Sequence, residues 1–300
     1  MKYVLILLMA GVGLEYSFSQ TDTLYVDPLS GNFLIRYIGT TKGGEDTLIT
    51  LIYEPPTKID PIINASVAPT SDGRYLYSYR VTNGANAQQK LNQFSLHFGS
   101  RVSVESRTPV TSWDNARPKK FLPEIGFANR WVWRGHQGLE PTWFIDSCMI
   151  VSDGLPSLTE SYSQAKRGSW AWPAGGPSQS DLRAQLLRLQ IYPNANVLRR
   201  TIGPKAISTP FTPLVFLDTL ISYKHQAFEM GWIREEGIVT SLDAKLEAAR
   251  PQIINGRPSA KQILESFVNE LEALNTQGNQ ITSEAYALLK FNAEYLISKL

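Results

Sequence analysis

A chain of 300 residues is long enough for about two domains, and its 43% hydrophobic residues supply a core, which excludes a largely disordered protein. The formal net charge of +2 excludes the strong electrostatic attraction that draws basic proteins to nucleic acid or anionic membranes. Cys148 is the only cysteine, which excludes an internal disulfide, and the apolar run around it predicts a buried, inert thiol.

The first twenty residues have the layout of a secretory signal peptide. Lys2 precedes an apolar run that ends at Leu14, and Ser17 and Ser19 are the small residues before a cleavage site ahead of Gln20. The run is shorter than the ~20 residues that span a bilayer as a helix. We therefore expect residues 1–19 to be a signal peptide; a buried N-terminal helix or strand is the alternative.

From Thr23 to about Arg101 the chain alternates between apolar and polar residues with the period of two that is typical of β-strands. Gly43 and Gly44 lie between the apolar runs "NFLIRYIG" and "LITLIYE" and predict a hairpin turn. Alternation in two later strands assigns shared faces to Tyr75, Tyr77, Tyr79 and Val81, and to Phe94, Leu96 and Phe98, with His97 facing solvent.

Residues 102–210 are also strand-like but richer in proline. The segment "SWAWPAGGPSQS" predicts a long loop, while "DLRAQLLRLQI" fits either a strand or a short helix. Short strands separated by turns predict an antiparallel β-sandwich, or a related barrel, over residues 20–210.

At residue 211 the period changes to that of helices. Thr212 and Pro213 predict a helix start, and three more helices are predicted over 241–254, over 259–275 and after Thr282 or Ser283. We expect residues 211–300 to be a helical domain, in which the antiparallel bundle of the last three helices, from about Ser241 to Leu300, packs mainly on itself. The helix near Pro213–Phe228 would attach it, with Trp232 at its base. The predicted class is thus multi-domain α+β.

The C-terminal segment resembles the FIMAH-type helical module that ends many exported bacterial proteins. The shared features are Leu-x-x-Lys-Leu at Leu242–Leu246, Phe267–Val268 where the family has Phe-Ile, and the closing "SEAYALLKFNAEYLI". No histidine follows Phe267, unlike the name-giving motif. The resemblance covers about a fifth of the chain; it implies an exported bacterial protein with a helical end, and no activity.

Motifs for catalysis or cofactor binding are missing from the sequence. It has no Gly-x-Ser-x-Gly elbow, no His-Glu-x-x-His, no paired cysteines and no phosphate-binding glycine loop. We therefore predict no catalytic residues, no metal site and no cofactor, while a calcium site built from distant loop oxygens stays open.

Aromatic residues are the remaining candidates for function. Two Trp-x-Trp pairs could offer flat surfaces to sugar rings, with polar neighbours supplying hydrogen bonds, although tryptophan is more often buried. The candidate ligand-binding residues are Trp131, Trp133, Trp170, Trp172, Arg134 and His136.

These observations predict an exported bacterial protein without a catalytic site. Its role would be binding, adhesion or scaffolding at the cell envelope or outside the cell, in the periplasm, on the surface or in the medium. The expected partner is a glycan or an envelope protein, and not nucleic acid. The alternative is a secreted hydrolase of carbohydrate or another envelope polymer, which needs two carboxylates; Glu140 and Asp146 are the candidates beside aromatic residues.

Overall fold

A computed structural model shows the architecture of the chain, and it describes residues 16–17, 23–40, 43–98, 102–107, 113–120, 127–133, 138–165, 184–185, 196–278 and 280–300. Within these residues an α+β architecture is present, in which antiparallel sheets precede four helices. Of the residues predicted as a signal peptide, only Tyr16 and Ser17 are described. The loop at 169–180 and most of the ambiguous segment after Asp181 lie outside the described residues.

The first sheet is a four-stranded meander at the N-terminal end. Its strands follow one another in chain order: β1 Tyr16–Ser17, β2 Thr23–Val26, β3 Phe33–Thr40 and β4 Asp46–Tyr53. The predicted hairpin is confirmed between β3 and β4, where Gly44 takes a φ of 85° that favours glycine. Leu24, Ile35, Tyr37 and Tyr53 form a small core of its own.

Two further sheets pack face to face and form the predicted sandwich. One has the strand order β5-β6-β11-β8, with β5 Pro61–Pro69, β6 Tyr75–Asn83, β8 Val104–Ser106 and β11 Phe144–Ser152. The other has the order β13-β12-β7-β10-β9, with β7 Leu91–Phe98, β9 Trp113–Lys120, β10 Phe127–Trp133, β12 Leu155–Ala165 and β13 Val197–Lys205.

The predicted inward faces fill the sandwich core. Tyr77, Tyr79, Val81, Phe94, Leu96 and Phe98 are buried there together with Cys148 and Ile150. The hydroxyl of Tyr77 donates to the Gly154 carbonyl at 2.7 Å, so its polar end is satisfied within the core. Cys148 is buried as predicted, and burial raises the pKa of its thiol, which disfavours the reactive thiolate.

The four helices are α1 Pro213–Glu229, α2 Glu236–Ile254, α3 Ser259–Thr276 and α4 Ser283–Lys299. The start of α1 at Pro213 is confirmed, and Thr282 caps α4 by accepting from the Ala285 amide at 3.3 Å. Helix α2 begins five residues before the predicted start, because Ile238 and Val239 extend its buried stripe toward the N-terminus. Within the described residues no helix combines the length and the apolar character that a bilayer crossing requires.

The attachment of the bundle differs from the expectation. Helix α4 lies against β5 and β12 and places Ala287, Leu288 and Phe291 in the sandwich core, while its other side packs in the helical core. Helix α1 adds Tyr223, and Trp232 packs against both cores as expected at the base. Most buried residues of the helices lie in the helical core, but α4 also contributes to the sandwich core, so the helix near Pro213–Phe228 does not attach the bundle alone. Helix α4 is apolar on two sides and needs a partner on each.

Two buried hydrogen bonds strengthen this junction. The Glu284 carboxylate accepts from the Ala65 amide at 2.5 Å, and the Asn292 amide donates to the Pro156 carbonyl at 2.8 Å. Glu284 and Asn292 are 2% and 3% exposed, so these bonds satisfy polar groups that water does not reach.

Candidate functional site

Asn83, at the end of β6, holds together the loops at one end of the sandwich. Its side chain is fully buried; Nδ2 donates to the carbonyls of Gln89 at 2.8 Å and Leu139 at 3.0 Å. Its Oδ1 accepts from the Asp60 amide at 3.1 Å. One amide group thus fixes three loops relative to each other, which gives this end of the sandwich a defined shape.

The backbone of the loop before β11 is bonded to the same asparagine. The Thr142 amide donates to the Asn83 carbonyl at 2.6 Å, and the Asn83 amide donates to the Trp143 carbonyl at 2.9 Å. With its backbone fixed, Trp143 still leaves 60% of its surface exposed, and the next residue, Phe144, leaves 53%. Large exposed aromatic side chains on a rigid backbone are typical of binding sites.

Charged side chains surround Phe144 on the outer face of the sheet. The Arg80 guanidinium lies 4.5 Å from the centre of the Phe144 ring and 3.0 Å from the Asp146 carboxylate. Ile62, which is 47% exposed, lies opposite Thr82, and Thr82 lies opposite Phe144. We call Ile62, Arg80, Phe144 and Asp146, together with the exposed Trp143 that precedes Phe144 in the chain, the aromatic surface.

The aromatic surface combines two kinds of contact. An exposed ring offers an apolar face, and the planar guanidinium and carboxylate offer several hydrogen bonds in fixed directions. Arg80 stacks on Phe144, so its side chain is held in place before any ligand arrives.

Thr142 stands in the left-handed region with a φ of 71°, which is unusual for a β-branched residue. Thr142→Asn is expected to raise the free energy of unfolding by about 1 kcal/mol, because asparagine tolerates this conformation and part of the strain is relieved. Denaturant unfolding measures the change. Thr47→Asn, at an exposed strand position, is the control and should lower stability slightly. A loss of stability in Thr142→Asn would contradict the explanation that the Thr142 backbone is strained.

The residues predicted to bind ligand are not brought together in the described part. Trp131 and Trp133 lie in β10, where the backbone but not the side chains is described. Arg134, His136, Trp170 and Trp172 lie outside the described residues. Ligand binding at these six positions therefore remains a prediction.

Trp143 and Phe144 were not among the candidate residues predicted from the sequence. The signal for them was the Pro141–Thr142 turn directly before an aromatic pair, since residues that follow a turn at a strand end are often exposed. Glu140, considered for hydrolysis, forms an ion pair with Lys90, and Asp146 forms one with Arg80.

The remaining titratable candidates have structural surroundings. His97 was expected on the solvent side, but its ring is half-buried and stacks on Tyr162 at 3.9 Å. Burial lowers the pKa of His97, while the charge of Glu160 opposes that change. His225 is exposed on α1, as expected. Among the described residues there is no group of three or more His, Cys, Asp or Glu side chains that could hold a metal ion.

A concave feature lies between the sandwich and the helices. It is a cleft of about 130 Å³, lined mainly by apolar residues that include Leu155, Phe211, Phe216 and Tyr223. Asn292 in its wall is already bonded to Pro156, and Ser157 donates to the Gly203 carbonyl at 3.2 Å. Asn292 thus serves the junction and Ser157 the pairing of β12 with β13, so the aromatic surface is the stronger candidate.

Comparison with known proteins supports the resemblance predicted for the C-terminal helices. The model of the FIMAH domain matches residues 220–298, which confirms the resemblance of the C-terminal segment. No curated protein matches the chain.

One similar solved structure is an uncharacterized protein from Nocardia farcinica that is described as revealing an immunoglobulin-like fold. It is 12% identical, covers 39% of this chain and 89% of its own, and has a TM-score of 0.28. At this TM-score the two structures share too little for fold or function to be compared further.

Proposed function

We propose that this protein is exported by a bacterium and binds a glycan of the cell envelope or its surroundings without catalysing a reaction. The observation that carries the proposal is the aromatic surface, where the exposed Phe144 lies beside Arg80, which is paired with Asp146, and where the adjacent Trp143 is also exposed. The apolar face of a sugar ring stacks on an exposed aromatic ring, and vicinal hydroxyls fit planar charged groups.

Export is supported by the N-terminal segment and by the C-terminal module. Residues 1–19 have the layout of a signal peptide. Residues 220–298 match the FIMAH domain, a module that ends many exported bacterial proteins. The buried contacts of α4 hold the helices and the sandwich in a fixed arrangement. Such a fixed arrangement fits a binding or adhesion role.

No observation on the described residues favours the hydrolase alternative. Glu140 and Asp146, which would have to act as the two carboxylates, are each engaged with a separate basic side chain. A glycosidase needs its pair of carboxyl groups on either side of one bond.

The binding test uses cell-wall polysaccharides and a matched pair of variants. We expect the full chain to co-sediment with at least one insoluble polysaccharide, and Trp143→Ala to weaken this binding about tenfold, or ~1.4 kcal/mol. Phe228→Ala, which removes a partly exposed aromatic ring from α1, should bind as the unmodified protein does.

Two outcomes contradict the proposal. Equal loss of binding in Phe228→Ala would mean that sedimentation reports general stickiness. Release of reducing sugars by the pure protein would show that the protein is an enzyme and not only a binding protein.

A further inference from the structure

Within the described strands, β4 is one of the two edges of the N-terminal sheet; the other, β1, has only two residues and lies within the predicted signal peptide. The sheet order is β1-β2-β3-β4, and β4 pairs with β3 along its whole length. Leu48 is 58% exposed and Ile52 is 70% exposed, on a strand whose only charged residue is Asp46 at its start. An apolar edge strand without proline or central charges is a template for pairing with another strand.

The sequence of β4 is complementary to itself when it is read in the opposite direction. Leu48 and Ile49 precede Thr50, and Leu51 and Ile52 follow it. In an antiparallel pair centred on Thr50, Leu48 would face Ile52 of the partner subunit, and Ile49 would face Leu51 of the partner subunit. Because a two-fold interface uses the same surface on both copies, each apolar pair would occur twice.

We propose that two copies of this chain associate through their β4 strands about a two-fold axis at Thr50. The pairing continues both sheets into one sheet of twice as many strands and satisfies the open edge of each. This proposal is independent of glycan binding, because β4 belongs to the N-terminal sheet and the aromatic surface belongs to the sandwich.

Both faces of β4 favour this register. Ile49 and Leu51 already pack against the small core of Leu24, Ile35, Tyr37 and Tyr53, and the pairing extends that core across the axis. On the other face the exposed Leu48 and Ile52 cover each other as cross-strand pairs. A core of four buried residues gains more from such an extension than a large core would.

Neighbouring registers are less favourable. A slip by one residue would place the face that carries Leu48 and Ile52 in one copy on the same side as the face that carries Ile49 and Leu51 in the other copy. A shift that centres the pair on Leu51 sets Leu48 against Glu54 of the partner subunit, and one centred on Ile49 sets Ile52 against Asp46 of the partner subunit.

One repulsive contact remains at each end of the paired strands. Asp46 would lie opposite Glu54 of the partner subunit, and like charges directly opposite each other are unfavourable. Asp46 accepts from the Thr40 hydroxyl at 2.9 Å, and Glu54 lies 3.7 Å from the Lys58 ammonium, which offsets part of the repulsion. Added salt is therefore expected to tighten the dimer.

The oligomeric state of the full chain tests the proposal. Light scattering coupled to size exclusion is expected to give twice the mass of one chain, and Thr50→Lys, which sets two ammonium groups at the axis, to raise the dissociation constant at least tenfold. Thr47→Lys on the same strand is the matched control, because residue 47 lies opposite Tyr53 of the partner subunit and not opposite itself; its effect should be smaller. A monomer at every concentration, or a dimer that Thr50→Lys leaves unchanged, overturns the proposal.

Cross-linking tests the register directly. Cys148 is buried, so a cysteine introduced on β4 supplies the accessible thiol. Thr50→Cys is expected to form a covalent dimer under mild oxidation. The Thr47→Cys thiols would stand roughly 20 Å apart at about 3.3 Å per residue, too far for a disulfide. Equal cross-linking of the two variants would overturn the register.

Discussion

Phe267→Ala is expected to lower the free energy of unfolding by about 3–5 kcal/mol, a large part of the stability of an ordinary domain. Phe267 is fully buried in the helical core, beside Leu264 and Leu271 of the same helix. Removing its ring leaves a cavity that helices packed on several sides cannot close. Phe228→Ala is the matched control: Phe228 is 36% exposed, and we expect a cost below about 1 kcal/mol.

The effect of Phe267→Ala on the sandwich depends on α4. This helix contributes Leu289 and Leu296 to the helical core and Leu288 and Phe291 to the sandwich core. Loss of the bundle would therefore uncover part of the sandwich. We expect far-UV circular dichroism and intrinsic fluorescence to report lowered midpoints together during denaturant unfolding. A fluorescence midpoint that does not move would show that the sandwich is stable without α4.

Periodicity within a segment predicted much of this fold. The period-two faces of β6 and β7, the hairpin at Gly44 and the helix starts at Pro213 and Ser283 all follow from local rules of strands, turns and caps. These features depend on residues within a few positions of each other, so a single sequence contains the information.

The grouping of strands into sheets could not be predicted in the same way. The alternation of β3 and β4 indicates strands, but only contacts between distant residues place them in a separate meander and not in the sandwich. The division of residues 20–210 from 211–300 accordingly stays a proposal, with the qualification that α4 belongs to both cores.

Helix α4 did carry a readable signal. Its buried residues include Leu288, Leu289, Phe291 and Asn292, which form a stripe too wide for one partner. A helix that is apolar on two sides is enclosed on two sides. The width of this apolar stripe in the sequence is therefore enough to predict that α4 packs in both cores.

The candidate site was harder to predict than the fold. Its geometry depends on Asn83, and nothing in the local sequence distinguishes a buried asparagine that bonds three loops from one in an ordinary turn. Exposure of Trp143 follows from that arrangement. The Trp-x-Trp pairs have the spacing of two residues that share a strand face, whereas Trp143 and Phe144 are adjacent and have no periodic pattern.

Phe291→Ala is also expected to lower the free energy of unfolding by about 3–5 kcal/mol, but by leaving a cavity in the sandwich core and not in the helical core. Phe291 is 5% exposed, and its ring lies 5.2 Å from that of Tyr75 at an angle of 57°. The cavity would open between α4 and the sandwich strands. Phe228→Ala again serves as the control for the loss of an aromatic ring from a helix.

Hydrogen exchange separates this variant from Phe267→Ala. The Ala65 amide donates to Glu284 on α4, so its protection reports the attachment of α4 to β5. We expect Phe291→Ala to accelerate exchange at Ala65 under native conditions more than Phe267→Ala does at equal loss of global stability, because only Phe291 packs directly against the strands. Equal acceleration in both variants would mean that the Ala65 amide opens only when the whole protein unfolds, and α4 would then be as firmly part of the sandwich as its own strands are.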